Sequence, residues 1–562
     1  MKTIICLLRY IFYMKRARTF LLTFVFAMSE FTASAQTLQT LVSFNGTNGS
    51  YPTTALSWGP DGNFYGTTGS GGSSGDGTIF QVTTNGLLTT LVPFNGTNGA
   101  YPYAALTLGT DGNFYGTTEE GGTNGYGTVF MVTTNGTLTT LAVFNDTNGA
   151  EPYAGLTLGN DGNFYGTTYA GTIFEGSIGS YYGTVFMVTT NGTLITLASF
   201  KGTNGAAPYA GLTLGNDGNF YGTTSYGLTE QGGQNDGTVF MVTTNGMLKS
   251  LASFNGANGS DPKAALTLGP DGNFYGTTYY GGSGAGTVFK VTTNGTLKSL
   301  VSFNYGNGSR PQAALTLGPD GNFYGTTQEG MGSTYYGTVF MVTTNGLLTK
   351  LVSFNGTNGA YPYAALTLGN DGNFYGTTYY GGITNIDPYG MGTIFRLVLS
   401  PVINVQPQIV TSNAGVTVTF LVSATGLKPM VYQWQKNGTN LVNGGNISGT
   451  TTNTLNITSI SDNDAGSYSV IITNFFGTVT SSNATLTVID PPTLALQFSG
   501  GYPQLNLAGM LSSNFVVQYS TNLASTNWVN LRSLTNLSAS PYLLLDPAGV
   551  VPPARFYRAF MQ

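Results

Sequence analysis

The octapeptide Asp-Gly-Asn-Phe-Tyr-Gly-Thr-Thr occurs seven times in this chain of 562 residues, and this repetition limits the fold more than any other feature. The copies begin at Asp61, Asp111, Asp161, Asp217, Asp271, Asp320 and Asp371. Their spacing of 49 to 56 residues is typical of proteins that repeat one small structural unit. The sequence therefore predicts seven copies of the same supersecondary structure.

Each repeat contains four short segments with the composition of strands. Ala-Ala-Leu-Thr-Leu or a close variant precedes the octapeptide, which supplies Asn-Phe-Tyr-Gly-Thr-Thr, and Gly-Thr-Val-Phe-x-Val and Leu-x-x-Leu-x-x-Phe follow it. The Asp-Gly and Asn-Gly pairs between segments indicate tight hairpin turns, because these residues tolerate positive φ. A four-stranded antiparallel unit of about 50 residues is typical of a β-propeller blade and longer than a β-solenoid coil.

The two ends of the repeat region complement each other. Residues 37–44 match the fourth segment of a repeat, whereas the seventh repeat stops at its third segment, residues 392–397. The first segment is thus predicted to complete the last unit and to remove the sheet edge that an open array would expose. We expect residues 36–400 to form one seven-bladed β-propeller.

Length differences among the first six repeats fall in a single loop. This loop joins the second and third strands and has 7 to 14 residues, and the corresponding loop of the seventh repeat, residues 379–391, is also long. In an antiparallel unit it opens on the same side as the connection to the next repeat. We call this side the variable face.

Tyrosines and acidic residues are concentrated on the variable face. A tyrosine combines a flat apolar ring with a polar tip, which suits contact with sugars or with a protein partner. Packing between repeats is the competing role for any single one of these tyrosines. The candidate ligand-binding residues are Tyr169, Tyr181, Tyr182, Tyr279, Tyr280, Tyr335, Tyr336, Tyr379, Tyr380, Glu119, Glu120 and Glu329.

Composition excludes several classes of chemistry. The chain has no histidine, and its one cysteine, Cys6, lies in the N-terminal leader, so no His or Cys catalysis or ligation is expected in the mature protein. A lone turn aspartate lacks the clustered oxygen donors that calcium needs. With 18 Lys and Arg against 23 Asp and Glu, there is no basic surface for nucleic acid. We therefore expect no catalytic residues, no metal, no cofactor and no nucleic-acid partner.

The leader has the three parts of an export signal. Five basic residues precede the apolar run at residues 19–28, which is too short to span a bilayer, and Ala33-Ser34-Ala35 is a small-x-small cleavage site. Residues 1–35 are thus predicted to be a signal peptide cleaved near Ala35, whether translation starts at Met1 or Met14. The mature chain is expected to be extracellular or on the cell surface, without a membrane span.

The repeat resembles the GloVer-type tandem repeats of the "choice-of-anchor" secreted bacterial proteins over residues 37–400. This resemblance implies a secreted protein and supplies no catalytic or ligand residues that could be transferred.

Two smaller domains are predicted after Pro401. Residues 401–490 resemble an immunoglobulin-like β-sandwich, in which Trp434 is the core tryptophan, Tyr468 the tyrosine corner, and Val422 and Val470 replace the usual cysteines. Residues 491–562 are similar to a small fibronectin-III-like β-sandwich, with strands around residues 515–519, 528–531, 542–545 and 555–558. The expected fold is all-β throughout.

Three functions remain open at this point. The favoured one is a monomeric, exported, non-catalytic binding or adhesion protein that recognises a glycan or a surface protein through the variable face. The second is a carbohydrate-active enzyme with paired carboxylates such as Glu119, Glu120 and Glu329, which would have to lie about 5 to 9.5 Å apart. The third is a structural component of the cell surface or matrix.

Overall fold

The computed structural model describes residues 37–171, 182–228, 234–330, 335–383, 387–490, 492–500, 502–508, 514–524, 526–538, 540–547 and 555–561. The predicted signal peptide lies outside these residues. The chain divides into two compact units, residues 1–399 and residues 400–562. Strands and turns dominate both, and the one helix in the described ranges is the short 3₁₀ turn Asp462–Asp464. The fold is therefore all-β, and the described residues include no helix long and apolar enough to cross a membrane.

The first unit contains seven four-stranded antiparallel sheets, one for each octapeptide. The first strands are Ser57–Trp58, Thr107–Leu108, Thr157–Leu158, Thr213–Leu214, Thr267–Leu268, Thr316–Leu317 and Thr367–Leu368. The second strands are Phe64–Thr68, Phe114–Thr118, Phe164–Thr168, Phe220–Thr224, Phe274–Thr278, Phe323–Thr327 and Phe374–Thr378. The third strands are Thr78–Val82, Thr128–Val132, Thr184–Val188, Thr238–Val242, Thr287–Val291, Thr338–Val342 and Thr393–Val398.

The fourth strands of the first six sheets follow directly along the chain. They are Leu88–Pro93, Leu138–Val143, Leu194–Ser199, Leu248–Ser253, Leu297–Ser302 and Leu348–Ser353. The seventh sheet takes its fourth strand from the other end of the repeat region, because Thr37–Ser43 pairs antiparallel with Thr393–Val398. The strand pairing predicted from the complementary ends is therefore present. A small extra hairpin, Gly227–Leu228 with Gln234–Asn235, lies in the loop of the fourth repeat.

One aromatic contact joins every sheet to the next. The octapeptide tyrosine of each repeat packs against the octapeptide phenylalanine of the following repeat, with ring centroids 4.1 to 4.5 Å apart. Tyr375 of the seventh repeat makes the same contact with Phe64 of the first, at 4.5 Å. A second contact also repeats: Thr107 Oγ1 donates to the Leu156 carbonyl at 2.6 Å, and Thr367 Oγ1 donates to the Leu56 carbonyl at 2.6 Å. The contacts between neighbouring sheets thus form a complete cycle.

Packing and hydrogen bonds explain why the octapeptide sequence is the same in all seven repeats. In all seven repeats the tyrosine hydroxyl donates to the turn aspartate at 2.7 to 2.9 Å. A Cβ atom on Gly116 would lie 2.6 Å from Phe130 Cζ, so only glycine leaves room for that ring. Thr117 Oγ1 donates to the Ala154 carbonyl of the next repeat at 3.0 Å. The repeated motif therefore builds the scaffold.

The second unit begins with two sheets around one core. One sheet contains Val410–Asn413, Ala484–Ile489, Gly466–Asn474, Val431–Lys436 and Thr439–Asn440 in that order, with Gly477–Thr480 also paired to Gly466–Asn474. The other contains Val418–Leu421, Thr454–Ile457 and Ile447–Ser448. Val402–Val405 pairs with Ser423–Thr425.

The core of these sheets matches the immunoglobulin-like prediction residue by residue. Trp434 is fully buried, and Tyr468 donates its hydroxyl to the Asp464 carbonyl at 2.6 Å, the hydrogen bond that defines a tyrosine corner. Val422 and Val470 are also fully buried in this core. Two valines therefore fill the space that a disulfide usually occupies in such domains.

The C-terminal segment forms two three-stranded antiparallel sheets. One contains Thr493–Ser499, Tyr502–Ala508 and Tyr542–Leu545, and the other contains Val529–Leu534, Phe515–Ser520 and Phe556–Met561. The four strands expected from the sequence are all present. The boundary at residue 491 and the fibronectin-III-like assignment stay predictions.

Deleting Thr37–Ser43 should destabilise the first unit. The deletion removes a whole strand of backbone hydrogen bonds, each contributing about 1 kcal/mol, and exposes the edge of Thr393–Val398. We expect a lower melting temperature by calorimetry and self-association by light scattering. Thr40→Ala, which changes an exposed side chain of the same strand, is the matched control. A deletion variant that melts like the control and stays monomeric would contradict the role assigned to this strand.

Candidate functional site

The connection that leads into each sheet on the variable face has a strained backbone. The residue before its proline has a left-handed φ of 53° to 56° in all seven repeats: Tyr51, Tyr101, Glu151, Ala207, Asp261, Arg310 and Tyr361. This conformation costs a non-glycine residue of order 1 to 3 kcal/mol. Two hydrogen bonds compensate; in the second repeat, Tyr101 N–H donates to the Asp76 carbonyl at 2.9 Å, and the Tyr101 carbonyl accepts from Glu119 N–H at 3.1 Å. The residues that follow are therefore held in a defined position.

The residue after that proline lines the same cavity in every repeat. The seven residues are Thr53, Tyr103, Tyr153, Tyr209, Lys263, Gln312 and Tyr363. The next two positions along each connection are Ala, Gly or Thr, and they also line the cavity, which has a volume of about 600 Å³. Tyr279, Gln328, Tyr379 and Tyr380 complete the lining. All seven sheets thus contribute equivalent residues to one site.

In several repeats the residue directly after the octapeptide contacts the lining residue of the next repeat. Tyr153 donates its hydroxyl to the Glu119 carboxylate, and Gln328 Nε2 donates to the Tyr363 hydroxyl at 3.1 Å. At Gly69 a Cβ atom would lie 2.5 Å from Tyr103 Cε1, so glycine there makes room for the Tyr103 ring. These contacts set the positions of the side chains around the cavity.

Tyrosines form a stacked row along one side of the cavity. Tyr101, Tyr103, Tyr153 and Tyr209 follow one another with centroid distances of 6.3, 6.2 and 4.9 Å and interplanar angles of 14° to 20°. Because the rings stack on each other, their edges and hydroxyls are the groups that remain for a ligand. Burial, assisted by the Glu119 charge, raises the pKa of Tyr103 and of Tyr209 to about 12, so both hydroxyls stay protonated at neutral pH.

Polar side chains occupy the side formed by the fifth and sixth repeats. Lys263 Nζ lies 3.3 Å from Asp261 Oδ2 and 4.2 Å from the centroid of the Tyr279 ring. Tyr279 donates its hydroxyl to Gln328 Oε1 at 2.7 Å. Gln312 also lines the cavity. The lining is therefore aromatic on one side and rich in hydrogen-bonding groups on the other.

Carboxylates of the variable face lie next to the cavity lining and have separate partners. Burial raises the pKa of Glu119, an effect that the Tyr153 hydrogen bond opposes and that Glu120 and Glu151 reinforce. Glu329 accepts from Arg310 Nη1 at 2.6 Å. Within the described residues, no three His, Cys, Asp or Glu side chains cluster closely enough to hold a metal ion.

The predicted site residues separate into distinct groups. Tyr279, Tyr379 and Tyr380 line the cavity, and Tyr169 contacts the lining residues Tyr153 and Tyr209. The remaining described residues do not line it: Tyr182, Tyr280, Tyr335, Tyr336, Glu119, Glu120 and Glu329. Tyr182 packs instead against the core between the third and fourth sheets, and Tyr335 is 63% exposed. Tyr181 lies outside the described residues.

Sequence reasoning missed the residues that follow the connection proline. Tyr209, Lys263, Gln312 and Thr53 were not among the candidates, and Tyr103, Tyr153 and Tyr363 were not singled out. The signal was available, because this position varies strongly within the otherwise uniform segment x-Pro-x-Ala-Ala or x-Pro-x-Ala-Gly. The site was predicted in the loops that vary in length. The lining comes mainly from the connection between sheets, whose length is constant.

Comparison with known proteins identifies the repeat. The Gloeobacter/Verrucomicrobia repeat matches residues 25–234, 173–395 and 225–457, which together cover more than half of the chain. The chain belongs to the Gloeobacter/Verrucomicrobia repeat family. The resemblance inferred from the octapeptide is thereby confirmed. No curated protein matches the chain.

Solved structures similar to part of the chain include immunoglobulin-type domains of titin. Titin M4 is 28% identical, with 16% of this chain and 98% of that chain covered and a TM-score of 0.15. Titin M3 is 29% identical, with 16% and 97% covered and a TM-score of 0.15. The titin fragment I67–I69 is 18% identical, with 29% and 64% covered and a TM-score of 0.20. At these TM-scores the likeness supports nothing further about this chain.

Replacing Glu119 by Gln should change the pH dependence of stability. A carboxyl group whose pKa is raised by folding binds its proton more tightly in the folded state, so folded-state stability falls as pH rises through its titration range. Glu119→Gln removes this loss and can still accept from Tyr153. We expect the melting temperature of the variant, relative to wild type, to rise by about 1 to 2 °C between pH 4 and pH 7.

Glu120→Gln removes an exposed carboxylate that only reinforces the raised pKa of Glu119, so as the control it should change the pH dependence less than Glu119→Gln does. If the melting temperature of Glu119→Gln relative to wild type stays constant or falls over the same pH range, the pKa of Glu119 is not raised by folding.

Proposed function

We propose that residues 37–399 form a seven-bladed β-propeller, and that the cavity lined by all seven repeats is the ligand-binding site of an exported, non-catalytic glycan-binding protein. The cycle of Tyr–Phe contacts, with Tyr375 against Phe64, supports the propeller because an open array would leave the first and seventh sheets apart. The single observation that carries the binding proposal is the convergence of seven equivalent side chains on one cavity.

Unsatisfied hydrogen-bonding groups favour a polar ligand. Among the described residues, the hydroxyls of Tyr103 and Tyr209 and the amide of Gln312 have no hydrogen-bond partner, although all three side chains line the cavity. Sugars present many hydroxyls that could pair with such groups. The volume of about 600 Å³ falls in the usual range for small-molecule sites, about 300 to 1,000 Å³.

Aromatic side chains favour a ligand with a flat or apolar face. Tyr363 and Tyr379 line the cavity with ring centroids 5.0 Å apart and an interplanar angle of 50°, so they are tilted rather than stacked on each other. A sugar ring has both polar edges and an apolar face, and tyrosine rings suit both. Glycan is therefore preferred to a purely ionic partner.

The partners of the carboxylates favour binding over catalysis. Glycoside hydrolysis by the usual route needs two carboxyl groups on either side of one bond. Glu119 accepts from Tyr153 and Glu329 pairs with Arg310, four repeats away along the chain. Within the described part of the chain, no acidic residue lines the cavity. These arrangements support a site without turnover.

The cellular role follows from the leader and the domain order. We propose that the signal peptide directs export, that the propeller binds glycan at the cell surface or outside the cell, and that the two C-terminal sandwiches act as spacer and attachment modules.

A glycan array with the full mature chain tests this proposal. Tyr103→Phe combined with Tyr209→Phe removes the two unpartnered hydroxyls and keeps both rings. We expect this variant to bind the preferred glycan at least about tenfold more weakly, since two hydrogen bonds contribute about 1 kcal/mol each. Tyr335→Phe, which removes an exposed hydroxyl outside the cavity, should leave affinity unchanged.

Two outcomes would contradict the proposal. Binding that is unaffected by the cavity variant, or that depends on residues after Pro401, would place the site elsewhere. Release of new reducing ends from the bound glycan, abolished by Glu119→Gln with the fold intact, would instead identify a carbohydrate-active enzyme. Absence of binding to any glycan would favour the structural role at the cell surface.

A further inference from the structure

Three consecutive repeats present hydrogen-bond donors to the cavity. The lining residue is Tyr209 in the fourth repeat, Lys263 in the fifth and Gln312 in the sixth. Their hydroxyl, ammonium and amide groups all carry protons that can be donated. Elsewhere in the lining, Tyr153 donates to Glu119 and Tyr363 accepts from Gln328, so those positions already have protein partners. Donors available to a ligand therefore occur in three consecutive repeats, in addition to the hydroxyls of Tyr103 and Thr53.

Among the described residues that line the cavity, Lys263 is the one that carries a charge. Arg310, the other cation of this region, does not line it and pairs with Glu329 at 2.6 Å. The part of the lining that the structure describes includes no aspartate or glutamate. These described lining residues thus present one positive group and no negative one to a ligand.

The surroundings of Lys263 hold its ammonium group in place. Asp261 is buried, with 6% of its surface exposed. Its Oδ2 atom lies 3.3 Å from Lys263 Nζ. The Tyr279 ring centroid lies 4.2 Å from the same nitrogen. Since an ammonium group has three protons, the contact with Asp261 leaves others for a ligand. A lysine restrained from two sides loses little conformational freedom when it binds.

We propose that the cavity selects glycans that carry a carboxylate, of the uronic acid class, and that Lys263 is the residue that recognises it. This inference rests on the proposed glycan-binding function and names its ligand. The two carboxylate oxygens pair with the Lys263 ammonium and with the adjacent Gln312 amide or Tyr209 hydroxyl. The sugar ring lies toward Tyr363 and Tyr379 of the seventh repeat. Charge-assisted hydrogen bonds of this kind are about twice as strong as neutral ones.

A comparison of one glycan in acid and esterified form tests the role of the charge. The probes are a 1,4-linked tetragalacturonate, its methyl ester, and a sulfated galactose tetrasaccharide, each titrated calorimetrically into the full mature chain at neutral pH. We expect the acid to bind at least about tenfold more tightly than the ester, because a hydrogen bond to a carboxylate is stronger than one to a neutral ester. The sulfated probe should bind more weakly than the acid.

Substitution of Lys263 tests the assignment to this residue. Lys263→Met keeps the apolar stem against Tyr279 and removes the charge, so the preference for acid over ester should fall to within about twofold while binding of the ester persists. Lys263→Gln, which keeps a donor, provides a second variant whose folding is checked by its melting temperature. Lys249→Met removes an exposed lysine on the fourth strand of the fourth sheet and should leave the preference intact.

Each alternative outcome has a definite meaning. If acid and ester bind alike, or if the preference survives both Lys263 variants, the carboxylate assignment is wrong. In that case ester binding that is lost in the Tyr103→Phe, Tyr209→Phe variant still supports the proposed function. Equal binding of the sulfated probe would replace carboxylate selection by a general preference for anions. If none of the probes binds and the array is also negative, the proposed function fails as well.

Discussion

The contact between the octapeptide tyrosine of one repeat and the octapeptide phenylalanine of the next is the interaction on which the first unit depends. It occurs at every junction, including the one between Tyr375 and Phe64, with centroids 4.1 to 4.5 Å apart. Each ring is held by the bond from its hydroxyl to the turn aspartate. In the first repeat, burial opposes the charge of this aspartate, but hydrogen bonds from Asn63 and Tyr65 prevail and lower the pKa of Asp61. One partly buried hydrogen bond therefore orients the aromatic ring that joins two sheets.

The octapeptide packs the sheets together, and other residues line the cavity. The repeated motif and the candidate site therefore do not overlap. Every residue of the octapeptide is occupied by packing or by hydrogen bonds to its own or the next repeat, as Gly116 and Thr117 illustrate. The strained residue before each connection proline holds the connection so that the residue after the proline lines the cavity. Because the scaffold is uniform, that side chain can differ in each repeat without disturbing it. Lys263 and Tyr209 can thus occupy equivalent positions in one scaffold.

Strand positions followed from the sequence because hairpin turns and alternating segments are local signals. The pairing of Thr37–Ser43 with Thr393–Val398 was also predictable, since a missing strand at one end matched a surplus strand at the other. Individual site residues were harder to predict. Tyr182 and Tyr379 both lie in Tyr-rich loops, yet one packs against a core and the other lines the cavity. That difference depends on side-chain direction, which the composition and length of a loop do not encode.

Distances between neighbouring sheets test the central claim, that seven sheets form a closed ring around one cavity. The sequence after residue 35 contains no cysteine, so pairs of introduced cysteines can be spin-labelled without background. Residues 60, 110 and 370 are exposed and occupy equivalent positions before the turns of the first, second and seventh octapeptides. Pulsed electron paramagnetic resonance should give the same distance for Pro60→Cys with Asn370→Cys as for Pro60→Cys with Thr110→Cys. A first-to-seventh distance several times longer than the first-to-second distance would contradict the closed ring.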